Sequence, residues 1–303
     1  MKTVLLIDGS HLAYRSYHVF ERFSNAEGYP TGVVYGFFSI LNSYVEKVSD
    51  QVIVTWEGRD CWRKDYFHSY KEDRHKDEAT YKNIIQGIND IQTLCKLAGV
   101  MQISKDTFEA DDVIAFLTRK FRQDVRIISG DKDLLQLIDD SKNISVIRPH
   151  PTKGLLEYRE QDVKDDFGIP VKHLVTYLSI AGDKSDKIPG LRNWGKVKTS
   201  KLINENEDPI EEILKIQPGF IDQLSLFYAL IDLNNEESRI KSIDRDDISS
   251  TPADMVSLNA KLFQFQIQAF NAKTIVENFY NPEFNEEAIK IILAERQKLP
   301  FEN

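Results

Sequence analysis

Cysteine is nearly missing from this chain. Cys61 and Cys95 are the two in 303 residues, and no CxxC spacing occurs. That excludes a disulfide framework and a zinc knuckle, and it predicts a reducing, cytoplasmic setting. Long apolar runs are missing too. Four apolar residues, Val4 to Ile7, precede Asp8, too few for a secretory signal or an anchor. No stretch reaches the length of a bilayer span, so no membrane partner is expected. There is no Pro/Gly-rich linker, no internal repeat and no low-complexity tract. Basic residues are outnumbered, 39 Lys and Arg against 48 Asp and Glu, for a formal net charge of −9. Taken alone, that balance disfavours a nucleic-acid partner.

Hydrophobic content of 41% and charged content of 29% describe a soluble globular protein, large enough for one large or two ordinary domains. Residues 2–8, 51–57, 125–131 and 143–148 read as short buried strands, rich in Val and Ile. Helical patterns cover 32–48, 80–98 and 109–122. Strands alternating with helices predict an α/β fold, a mainly parallel central sheet flanked by helices. After residue 158 the pattern is mostly helical. The expected division is therefore an α/β domain over 1–158 and a helical subdomain over 159–303. Between the second strand and the next helix, residues 58–79 mix charges of both signs with aromatics and lack an apolar period. A coreless segment of that length between sheet elements is more often functional than inert.

Acids recur at the ends of the apolar runs. Asp8 follows Val4-Leu5-Leu6-Ile7, Glu57 follows Val52-Ile53-Val54, and Asp131 and Asp133 follow Val125-Arg126-Ile127-Ile128. Glu109, Asp111 and Asp112 open a helical stretch, and Asp183 and Asp186 follow Leu178-Ser179-Ile180-Ala181. Acids in a helix's first turn favour its dipole, an ordinary reason for Glu109 and Asp112. Asp106 and Asp139 read as turn or cap residues, and His11 as a structural hydrogen-bonding residue. Adjacent Asp111 and Asp112 repel, which strains the ordinary explanation. Parallel strands bring their ends to one sheet edge, where open α/β folds place ligands. So much negative charge in one place calls for a cation. All donors are hard oxygens, which selects Mg²⁺ or Mn²⁺, and two such ions suit phosphodiester hydrolysis. From Lys184 to Lys201, six basic residues (Lys184, Lys187, Arg192, Lys196, Lys198, Lys201) stand against one acid, Asp186. A basic strip beside an acidic cluster suits a polyanion held by its backbone while one phosphate meets metal.

Six motifs in order carry a resemblance: Ile7-Asp8-Gly9-Ser10-His11, Pro30-Thr31-Gly32-Val33-Val34-Tyr35-Gly36, Tyr70-Lys71-Glu72-Asp73-Arg74, Glu109-Ala110-Asp111-Asp112, Gly130-Asp131-Lys132-Asp133, and Gly182-Asp183-Lys184-Ser185-Asp186-Lys187-Ile188-Pro189-Gly190. Over roughly residues 2–232 the chain resembles the 5′→3′ exonuclease and flap endonuclease family. That family includes the nuclease domain of bacterial DNA polymerase I and free-standing phage flap endonucleases and ribonucleases H. The resemblance implies metal ligation by Asp8, Glu109, Asp111 and Asp131, with Asp112, Asp133, Asp183 and Asp186 completing the cluster. Glu57 stands where the family usually has Asp, one methylene longer.

The resemblance also implies a helical arch over about 58–79 that takes a single-stranded 5′ end, with Arg63, Tyr70, Lys71 and Arg74 at matching positions. Lys71 and Arg74 are spaced to face one phosphate, and Tyr70 to stack on an unpaired base. The basic strip falls in a helix–three-turn–helix element, about 180–204, that holds duplex DNA and, in the family, a monovalent cation such as K⁺. Asn193 replaces a usual Gly there, and Lys187 a usual Asn. Gln297-Lys298-Leu299-Pro300-Phe301 distantly resembles a sliding-clamp docking peptide.

The expected protein is thus a monomeric, divalent-metal 5′ nuclease that removes RNA primers or 5′ flaps. Its substrates would be flapped DNA or an RNA–DNA hybrid, and its partners a sliding clamp or single-strand-binding protein. Two rivals are a non-catalytic junction-binding protein with a vestigial centre, and a phosphatase using Asp8 as nucleophile.

Overall fold

Alternation along β1 (Thr3–Asp8) decides the layering. Val4 and Leu6 enter one apolar cluster and Leu5 and Ile7 another, all essentially sealed from solvent. A strand buried on both faces needs helices on both. The structure, a computed structural model, describes residues 3–25, 28–45, 51–71, 77–97, 100–150, 152–235 and 240–248.

After β1 come α1 (Gly9–Phe20), α2 (Gly32–Val45), β2 (Gln51–Trp56), α3 (Trp62–Tyr66), α4 (Glu78–Leu97), β3 (Met101–Ser104), α5 (Ala110–Lys120) and β4 (Asp124–Ile128). A 3-10 turn (Asp133–Leu137), β5 (Ile144–His150) and β6 (Gly154–Tyr158) complete the sheet. Then follow α6 (Glu160–Phe167), α7 (Leu174–Ala181), α8 (Lys196–Glu205), α9 (Pro209–Ile216) and α10 (Ile221–Ile231). The sheet order is β3-β2-β1-β4-β5-β6, with β6 alone antiparallel. Strand order therefore reverses between β1 and β4. That switch point opens a crevice at the carboxyl ends of the strands.

The fold is the expected mainly parallel sheet flanked by helices. The predicted strands and helices are present within the described residues, while 46–48 and 98 of the two long helical patterns lie outside them. Three elements carried no sequence expectation: α1, β3 and the edge strand β6. On one face, α1, α2 and α4 cover Leu5, Ile7, Val52, Val54 and Ile128 with Leu12, Phe37 and Ile91. On the other, α5 packs Val113 and Ile114 against Leu6 and Ile127. That second cluster continues without a break into Leu178, Leu202, Ile213 and Phe227 of the helical region. The described residues on either side of 158 thus share that cluster, and α7 packs against the 3-10 turn Asp133–Leu137.

Candidate metal centre

β1 ends at Asp8, which accepts the backbone N–H of His11 at 3.0 Å and so caps α1. Its other oxygen accepts Ser129 Oγ at 2.8 Å, and the same hydroxyl accepts the N–H of Asp131 at 3.0 Å. Ser129, at the end of β4, therefore ties Asp8 to Asp131 across the crevice. Gly130 must lack a side chain here, because a Cβ would sit 2.5 Å from His11 Nε2. The N–H of Asp133 in turn bonds Asp131 Oδ1 at 3.0 Å.

Glu109 precedes α5, and its N–H donates to Asp112 Oδ2 at 3.0 Å. Glu57, beyond β2, accepts the Ala110 N–H at 3.2 Å. An acid at a helix N-terminus gains from the dipole and the unpaired amides. Asp183 and Asp186, three residues apart, would share a face only if helical. They lie instead in a tight turn closed by Asp183 N–H to Ile188 O (2.7 Å) and Ile188 N–H to Asp183 O (2.8 Å). The turn delivers both carboxylates to Asp133.

Two acid groups result. Glu109, Asp111 and Asp112 have carboxylate oxygens within 4.8 Å of one another, and so do Asp133, Asp183 and Asp186. Between them lies Lys71, 2.6 Å from Glu109 Oε1 and 3.9 Å from Asp186 Oδ1. Desolvation alone would raise Glu109, yet Lys71 and Arg63 hold it at about 2. Desolvation raises Asp8, opposed by His11, and raises Asp111 well above its ordinary value, with Asp112 and Glu109 adding to the rise. Asp133 is likewise pushed far up by burial and then by Asp131, Asp186 and Asp183. Asp131 stays low despite burial because of His11 and Lys71. The Glu57 carboxyl is raised by desolvation and then by Glu109, against Lys71. The pit carries more negative charge than its own cations neutralise.

Several side chains differ from their expected places. Arg63, expected on an arch facing DNA, is 1% exposed. Its guanidinium donates to Glu109 Oε2 (2.8 Å), to both oxygens of Asp112 (2.7 Å each) and, through Nε, to Leu230 O of α10 (2.8 Å). Four charge-assisted or carbonyl bonds take four of its five N–H donors, and burial keeps it from a phosphate. Asp112 is correspondingly engaged, since Trp62 Nε1 also reaches its Oδ2 at 3.4 Å. Tyr70, expected to stack on a base, is 2% exposed and donates its hydroxyl to Glu109 Oε2 at 3.0 Å. Trp62, Arg63 and Tyr70 are therefore the packed base of the 58–79 segment, while Lys64, Asp65 and Tyr66 are exposed. Arg74 lies outside the described residues, so its spacing to Lys71 has no structural counterpart here. The same holds for Gln297 to Phe301.

The basic strip surrounds the hairpin between α7 and α8. Lys184, Arg192, Lys196, Lys198 and Lys201 are exposed, and Lys187 is half-buried. Lys198 Nζ lies 3.8 Å above the Trp194 ring, a cation–π contact that restrains it. Asn193 takes the left-handed conformation expected of it (φ 67°). Gly182 and Gly190 are also left-handed, and a Cβ on Gly190 would strike Gly182 N at 2.5 Å. Ser129 and Ser185 were not anticipated. A hydroxyl beside Gly-Asp at a strand end is the signal that could have found the first.

An acid-lined pit at the switch point of such a sheet defines a class of metal-dependent hydrolases. A sequence profile of the 5′-3′ exonuclease N-terminal resolvase-like domain matches residues 3–168. The 5′-3′ exonuclease of Aquifex aeolicus is 33% identical over 282 residues, covering 89% of this chain and 94% of that protein. DNA polymerase I of Bacillus subtilis is 27% identical over 292 residues, 94% of this chain but 32% of the polymerase. The chain thus spans about a third of that relative. Among solved structures, the bacteriophage T5 flap endonuclease, in a pseudo-enzyme–product complex with DNA and metal ions, shares the fold. Its TM-score is 0.58 at 18% identity, covering 98% of this chain and 100% of that one. The chain belongs to the 5′-3′ exonuclease family of phosphodiester hydrolases.

Proposed function

We infer that this protein is a structure-specific 5′ nuclease that uses two divalent ions, Mg²⁺ or Mn²⁺, to remove 5′ flaps or RNA primers from DNA. One observation carries the reading. Asp133 Oδ1 and Asp183 Oδ2 are sealed from solvent and have no hydrogen-bond partner, and both residues belong to an all-carboxylate cluster. A buried acceptor left bare is costly, and a hard cation satisfies several at once. The donor set therefore fits the group that the family implies.

Asp111, Glu109, Asp8 and Asp131 would hold one ion, and Asp133, Asp183 and Asp186 the other, with Glu57 acting at the mouth. When bound, such ions supply Lewis acidity toward a phosphodiester and its attacking water. The chain's own residues do the rest. Arg63 and Tyr70 fix Glu109 Oε2, and Ser129 fixes Asp8 against Asp131. Lys71 Nζ, at the centre, can turn from Glu109 to a phosphate oxygen and offset its charge. Lys184, Arg192, Lys196, Lys198 and Lys201 face solvent together and suit a duplex backbone. A 5′-labelled flap and a matched RNA–DNA hybrid, each with and without Mg²⁺, test the reading. Mg²⁺-dependent release of 5′ fragments is expected, and intact substrate in Mg²⁺ and Mn²⁺ alike would refute it.

A further inference from the structure

Lys132 stands between two acids of the pit, Asp131 and Asp133, and its ammonium turns inward to the second acid group. It donates to Asp183 Oδ1 and, at 2.7 Å, to Ser185 Oγ. Ser185 gives the same Oδ1 its backbone N–H at 2.8 Å and its hydroxyl at 2.5 Å. One oxygen of Asp183 thus collects three donors while the other has none. Asp183 belongs to the group in which Asp133, Asp183 and Asp186 converge. A single ammonium supplies one positive charge from one side. It cannot reach the bare oxygens opposite.

We propose that Lys132 is a built-in counter-cation of this acid group, one that competes with the divalent ion and sets how tightly that ion binds. The proposal rests on the reading of the pit as a metal centre. Lysine suits the task better than arginine, being a point charge on a flexible stem without a preferred bidentate geometry. Its side chain is 26% exposed, so it has a path outward, whereas Arg63 in the first group is sealed and doubly paired. An entering ion meets a like charge held against one of its carboxylates. It must share Asp183 or displace Lys132 toward solvent, and toward any polyanion lying there. The contrary role, in which Lys132 merely orients Asp183 for the ion, has the opposite signature, since its loss would weaken metal binding.

Calorimetric titration of Mn²⁺ into the metal-free full chain separates the two, with free Mn²⁺ counted by electron paramagnetic resonance. Lys132→Met should bind at least about tenfold more tightly than wild type at one class of site, the size expected for removing a like charge a few ångströms away. Lys132→Arg should stay near wild type. Asp183→Asn should abolish that class and so identify it. Metal-free Lys132→Met should unfold at a lower temperature than wild type yet gain more from saturating Mn²⁺, as tighter binding to the native state requires. Lys132→Gln, which keeps a donor for Ser185, carries the same titration if the methionine variant does not fold. Affinity unchanged or weakened in both neutral variants overturns the proposal while leaving the metal centre intact. Wild type that binds no Mn²⁺ overturns both.

Discussion

The two acid groups of the pit are built from the same functional group, the carboxylate, and treated differently by the fold. Around Glu109, Asp111 and Asp112, protein cations and donors are abundant. Arg63 takes both oxygens of Asp112 and one of Glu109, while Tyr70 and Lys71 complete Glu109. Around Asp133, Asp183 and Asp186 two buried oxygens are left bare, although Lys132 holds Asp183 and Lys71 lies 3.9 Å from Asp186 Oδ1. Glu109 and Asp112 are thus already anchored by protein donors. The second group stores repulsion that a ligand relieves, and such local cost is a mark of function. Identity of residue therefore says less about role than the company it keeps.

The comparison breaks most visibly in catalysis. Asp131→Asn should lower turnover at least about a thousandfold, the scale of losing a central electrostatic group, while binding to a flap duplex persists. Single-turnover cleavage beside a filter-binding assay measures both. Stability separates the groups next. Arg63→Met leaves Glu109 and Asp112 as unpaired buried charges and should cost about 3–5 kcal/mol in denaturant unfolding. Asp183→Asn in metal-free protein should cost little or stabilise, because it removes charge from an underneutralised cluster. Equal losses for the two variants would erase the distinction.

Acid sharpens it further. Glu109 is depressed to about 2, below its unfolded value near 4.3, so its contribution is fully present above that value and is lost as pH falls through about 2. Asp133 is raised, so the native state binds more protons than the unfolded chain, and stability falls as pH rises above the ordinary Asp range. Metal-free protein should therefore gain stability as pH falls toward the ordinary Asp range. Asp133→Asn should flatten that gain. The smallest effect belongs to the basic strip. Lys196→Ala or Arg192→Ala should weaken duplex binding modestly for every sequence and reduce the salt slope by about one each.

Much of this was legible in the chain. Strands β1, β2, β4 and β5 announce themselves through Val and Ile, and acids end or follow the first three. β3 does not, because Met101-Gln102-Ile103-Ser104 hides a polar residue in the core. Gln102 is buried only because Trp56 Nε1 donates to it at 3.0 Å and it donates to Gln92 O at 3.0 Å. β6 is a half-covered edge with no apolar run, and α1 buries small residues, Ser10, Ala13 and Ser16, that leave a faint periodicity. The site divides in the same way. Asp8, Glu109, Asp131 and Asp183 could be picked out by position. The burial of Arg63 could not, since an arginine in a highly charged segment reads as solvated until Asp112, 49 residues on, and Leu230, 167 residues on, close around it. Lys132 was invisible for that reason too, as Asp183 lies 51 residues away.

Everything functional here depends on these scattered carboxylates forming one cation-binding pit. Crystals soaked in Mn²⁺ test that most directly through anomalous scattering. Two peaks are predicted, one against Asp111 on the Asp8 side and one among Asp133, Asp183 and Asp186. A map with no peak at either group, in crystals where Mn²⁺ is bound elsewhere, would contradict it.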